Sequence, residues 1–144
     1  MTGPRLARPE ADEYAPFYSG YVARVPEGDV LELLARQAED TQALLSTLSP
    51  ERASYRYAPD KWSLRQVLGH VNDVERLTLF RAFWFARGFE RPVPSFDQIA
   101  SDAAAGADAV AWTRHVEEFA ALRRASLSFL SRLPPEAWMR SGVA

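Results

Sequence analysis

The chain has 144 residues, which suits one domain with a single core. Hydrophobic residues make up 47% and charged residues 25%, the proportions of a globular rather than a disordered chain. Seventeen basic against nineteen acidic residues leave a net charge of −2, which argues against a nucleic-acid partner held by phosphate attraction. The absence of cysteine excludes disulfides, thiolate metal sites and cysteine nucleophiles, and suits a reducing cytoplasm.

No segment reaches the roughly 18–20 apolar residues that would span a bilayer, so no membrane partner is expected. Met1–Glu13 lacks the apolar middle of a signal peptide. Residues 1–26 contain Pro4, Pro9, Pro16 and Pro26 with Tyr14, Phe17, Tyr18 and Tyr21 between them. Each proline lacks a donor and restricts its predecessor, which predicts an extended lead-in whose aromatics lie over the domain surface. A basic-aromatic arm for nucleic acid is disfavoured, because Glu10, Asp12 and Glu13 offset the arginines.

Residues 27–144 read as a helix bundle. A first long helix is expected from Asp29 to about Leu48, with Val30, Leu34, Thr41, Leu45 and Leu48 at helical spacing and Ser49-Pro50 as its stop. Residues 55–59 then form a non-helical crossover. The second helix carries the clearest signals. Ser63 is an N-cap, Gln66 completes a capping box, and Trp62 with Val67 makes a hydrophobic staple. It runs from Leu64 to Arg87, a rod of roughly 36 Å at 1.5 Å per residue, and Gly88 ends it in a left-handed conformation. Its expected core stripe is Val67, Val71, Val74 and Leu77, continued by Phe80 and Trp84.

Residues 89–98 read as a loop, and the alanine-rich stretch 99–107 as a short helix or an ordered loop. A third long helix is expected from near Asp108 to the Pro134-Pro135 pair, burying Trp112, Val116, Phe119, Leu122, Leu127, Leu130 and Leu133. Glu136–Ala144 opens a further segment and stops. No strand pattern, hairpin dipeptide or repeat is present, so the chain is expected to be all-α, an up-down helix bundle.

Two histidines are the chemical candidates. His70 lies beside the apolar stripe, where an imidazole can ligate a metal, act as a base or simply donate to an acceptor. Asp73, one turn on, can orient that ring, serve as a ligand, or pair with Arg76 at i,i+3. His115 has no second histidine at i+4, and the His-Glu-x-x-His zinc motif is absent. No serine has a G-x-S-x-G context, and there is no phosphate-binding glycine loop.

From Tyr55 to Gly88 the sequence resembles the DinB-like (DinB/YfiT) superfamily of metal-dependent enzymes. The resemblance rests on Tyr57-Ala58-Pro59-Asp60-Lys61-Trp62-Ser63 leading into Leu68-Gly69-His70, then Asp73, Glu75-Arg76, Arg81 and Ala86-Arg87-Gly88. The Pro92-x-Pro94-x-Phe96-Asp97, Phe119-x-x-Leu122-Arg123 and Leu133-Pro134-x-Glu136-Ala137-Trp138 stretches fit as well, so most of residues 30–140 is covered. It implies a single four-helix-bundle domain holding a divalent metal, nickel or zinc, on three histidines. His70 stands at the position of the first, and Asp73 would support it from behind. The other two come from an His-x-x-x-His pair on a fourth helix that these 144 residues do not contain, so the bundle is expected to be C-terminally incomplete. The resemblance also implies a small-molecule substrate, with a low-molecular-weight thiol as co-substrate in the S-transferases and hydrolysis in other members.

Two readings from other classes remain. One is a non-catalytic helical domain that binds no metal and buries its open face in a homodimer, motivated by the aromatics Phe80, Phe83, Trp84 and Phe85 on more than one face of the second helix. The other, a helix-turn-helix regulator built on Leu64–Val71, is opposed by the acidic balance.

Overall fold

Capping side chains and glycines mark where each helix begins and ends in the computed structural model, which describes residues 6–144. The helices are α1 (Ser19–Ala23), α2 (Val30–Ser46), α3 (Leu64–Ala86), α4 (Gln98–Ala105), α5 (Trp112–Leu130) and α6 (Pro135–Trp138), with 3₁₀ turns at Pro16–Tyr18, Arg52–Ser54 and Ala107–Ala109. No strand occurs among the described residues. The expected all-α bundle is therefore present, with α2, α3 and α5 as its three long helices.

Asp29 caps α2 by accepting from the backbone N–H groups of Leu31 and Glu32. Ser63 and Gln66 close a reciprocal capping box on α3, and Gly88, at φ 74°, supplies the left-handed residue beyond its C-cap. Asp97 caps α4 and Gly106 ends it, so the alanine-rich stretch takes the helical form of its two expected states.

α5 is the central rod: α2 packs on one side of it and α3 on another, while α4 lies against α3. That placement explains why α5 buries six residues, Trp112, His115, Phe119, Ala120, Arg123 and Ser126, which share one face spanning an arc of about 140°. α2, at the edge, buries none completely. The apolar centre is Ala53, Leu68, Trp112 and Phe119, with Leu45, Leu48, Leu64 and Val116 around it. The Trp112 indole donates to Leu45 O at 3.3 Å, tying α5 to the end of α2.

The structure corrects two expectations. The lead-in is not wholly extended: a 3₁₀ turn and the five-residue α1 fit between Pro16 and Pro26. Pro16 sits at the start of the turn, where its missing N–H costs nothing. Pro4 lies outside the described residues. Phe17, Tyr18 and Tyr21 stand exposed and pack on one another, with ring centroids 5.1–6.2 Å apart.

The second correction concerns the face that α3 turns inward. Val67 and Val71, placed in the core by periodicity, are 43% and 38% exposed, and Phe80 is exposed too. The buried positions are Leu68, Asn72 and Ala86, a quarter-turn away. Polar residues hold this register. Asn72 Nδ2 donates to His115 O at 3.2 Å and to Glu118 Oε2 at 3.1 Å, and Glu75 accepts from Arg123 and Ser126 of α5.

Candidate functional site

His70 is positioned by the entry and exit of α3. The crossover before α3 is fixed by Arg56, which donates to Lys61 O at 2.7 Å and Gln66 Oε1 at 2.6 Å and pairs with Asp108. That arrangement sets the Trp62 ring against His70, centroid to centroid 5.2 Å. The loop after α3 returns along the same helix: Arg81 Nη2 donates to Pro94 O at 3.0 Å, and the Trp84 indole to Arg91 O at 2.8 Å. Its return brings Phe96 to the other side of His70, nearly parallel at 19° and 6.2 Å away.

The imidazole is thus half-buried between two aromatic walls. No hydrogen bond to either ring nitrogen is made among the described residues, which leaves a lone pair for a ligand. Asp73 does not supply that partner. Its Oδ1 faces Arg76 Nη1 at 3.2 Å, and its Oδ2 accepts from Ser101 Oγ at 3.0 Å. Ser63, next to Trp62 in the chain, is buried, giving its hydroxyl proton to Asp108 while accepting from Gln66 N.

A three-histidine metal centre needs donors that converge. Among the described residues no group of three or more His, Asp or Glu side chains is placed to hold a metal ion. His70 has aromatic rather than ligating neighbours, and His115 is buried elsewhere, with Nε2 2.9 Å from Ala107 O. The residues present do not by themselves fit the metal that the resemblance implies.

Sequence reasoning missed Phe96 as a wall of the His70 site, and missed the polar seam of Asn72, Glu75 and Arg123. The loop length and Arg81 carried no local signal for the first. A buried amide and carboxylate at core spacing on α3 were the available signal for the second.

The molecule is an all-helical bundle among the described residues, with the His70 imidazole beside two aromatic rings. The DinB superfamily model matches residues 33–144, and the chain belongs to that superfamily. Among solved structures the chain is similar to YfiT from Bacillus subtilis, described as a "probable metal-dependent hydrolase with an unusual four-helix bundle topology". The TM-score is 0.67 at 15% identity, over 90% of this chain and 73% of that one. At that identity the likeness shows the fold. No curated protein matches the sequence. No helix among the described residues is long and apolar enough to cross a membrane.

Proposed function

We propose that this chain is the bundle of a DinB-type enzyme for a small molecule, of the hydrolase or thiol S-transferase kind, and that His70 is the side chain it presents to the ligand. The observation that carries this reading is the His70 ring itself, at the family's motif position, flanked by Trp62 and Phe96 and without a partner for its nitrogens among the described residues. A lone imidazole binds a divalent ion weakly, since tight sites use three or four donors. Nickel or zinc held at His70 therefore needs donors from outside the described residues.

Calorimetric titration of the 144-residue chain with nickel and zinc tests this. Weak binding, with a Kd above about 10 µM, that disappears in His70→Ala is expected. Tight binding unchanged in His70→Ala would overturn it.

A second reading, a homodimeric domain without chemistry, is favoured by the exposure of Val67, Val71, Phe80 and Phe83 along α3. Val67 and Val71 share one face of the helix, and a second copy laid across them would bury them, while Phe80 lies on the opposite side. Sedimentation then shows a dimer that Val71→Asp dissociates; a monomer at tens of micromolar rejects this reading.

A further inference from the structure

Away from His70, on the side of α3 that faces α4 and α5, lies an open cleft of about 770 Å³. Its volume falls in the range of small-molecule sites. The polar wall is continuous. Arg76 bridges Asp73 and Glu118, Ser101 donates to Asp73, and Arg114 pairs with Glu117 at the rim, 3.0 Å apart. Three carboxylates against two guanidiniums leave this wall with one excess negative charge.

At the floor sits His115, 4% exposed. Its Nε2 is 2.9 Å from Ala107 O, and since a carbonyl only accepts, Nε2 carries the proton. In that tautomer Nδ1 is a lone-pair acceptor, and it has no partner among the described residues. The Nδ1–Cε1 edge faces Gly69 in the cleft wall: a Cβ on Gly69 would lie 3.2 Å from Ala107 Cβ, 3.6 Å from Cε1 and 4.0 Å from Nδ1. A buried acceptor left unpaired is costly, so it points to a donor that arrives with a ligand.

We propose that this α3–α4–α5 cleft binds a small aliphatic ammonium compound of the diamine class, its charge met by Asp73 and Glu118 and a second donor reaching His115 Nδ1 past Gly69. The unmet acceptor and the excess negative charge both select a cationic donor over a carboxylate or phosphate. The acidic groups do not converge as metal ligands do, which favours an extended organic cation over a bare ion. Ala104, Ala105 and Val110 give its methylene chain an apolar surface. This site is separate from His70, and the proposal stands independently of the function assigned there.

The test is calorimetry on the 144-residue chain with 1,4-diaminobutane, using butylamine, 1,4-butanediol and succinate as matched probes. Saturable one-site binding is expected, strongest for the diamine and absent for succinate. Glu118→Gln removes a charge-assisted contact and should weaken the diamine about tenfold. Gly69→Ala, which fills the notch, should weaken it too, and His70→Ala should leave it unchanged. If Glu118→Gln does not fold, Glu117→Gln at the exposed rim replaces it, with a loss of a few-fold expected. No saturation by about 10 mM diamine, or diol or succinate binding as strongly, overturns the proposal. Equal diamine affinity in the folded glutamine variant would overturn it as well.

Discussion

Arg123 of α5 and Glu75 of α3 form a two-pronged ion pair inside the bundle, Nε to Oε1 at 3.1 Å and Nη2 to Oε2 at 3.2 Å. The same guanidinium donates to Leu34 O at 3.3 Å and Gln37 Oε1 at 2.9 Å of α2, and Ser126 Oγ donates to Glu75 at 2.6 Å. One side chain therefore ties three helices whose apolar contacts alone would tolerate sliding. Removing one partner leaves the other charge buried. Glu75→Gln should cost about 3–5 kcal/mol in urea unfolding, whereas the double change Glu75→Leu with Arg123→Met should recover most of it.

Ser63 does more than an ordinary helix cap, because its hydroxyl also donates to Asp108 and no part of the residue is exposed. Ser63→Ala removes both interactions. The expected loss is about 2 kcal/mol, the upper end for a cap, read as a lower denaturant midpoint at unchanged slope.

Gly88 isolates backbone conformation from packing. A Cβ there would meet only Arg140 Nε, at 4.0 Å, so space is not the constraint; the φ of 74° is. Gly88→Ala should destabilise by about 1–2 kcal/mol, and Gly88→Asn by visibly less, in parallel thermal melts.

The Glu51 carboxyl is held below the usual glutamate range, chiefly by its own backbone N–H, then by the Ser49 hydroxyl, with a smaller pull from Arg65 against slight desolvation. A depressed folded-state value stabilises the fold above the unfolded-state value, and that contribution fades as pH falls through the folded one. NMR titration should show Glu51 below an ordinary glutamate, and Ser49→Ala should move its midpoint upward.

The long helices are legible in the sequence because their ends carry chemistry: Asp29, the Ser63–Gln66 pair and Gly88 each satisfy or release specific backbone groups. The inward face of α3 is not legible from hydropathy. Val67, Val71 and Val74 have the more regular apolar spacing, yet Asn72 and Glu75 are drawn toward α5 because Glu118, His115 O, Arg123 and Ser126 satisfy them there. Polar partners distant in sequence decide that register, and a window of neighbouring residues cannot contain them. The His70 surroundings divide the same way. Trp62 is local and readable, whereas Phe96 arrives through a loop anchored by Arg81 and Trp84. Asp73 divides likewise: it makes the i,i+3 pair with Arg76 that its spacing offered, whereas Ser101, distant in sequence, donates to its other oxygen.

Asp108 couples segments that the sequence keeps far apart. Its carboxylate takes Arg56 from the crossover and Ser63 from the N-cap of α3, while its carbonyl takes Arg65 at 3.0 Å. The link preceding α5 and the long crossover are therefore fastened by one latch. In native-state hydrogen exchange, amides of both connections should lose protection together at a shared opening free energy, and Asp108→Ala should release them as a unit while α5 stays closed.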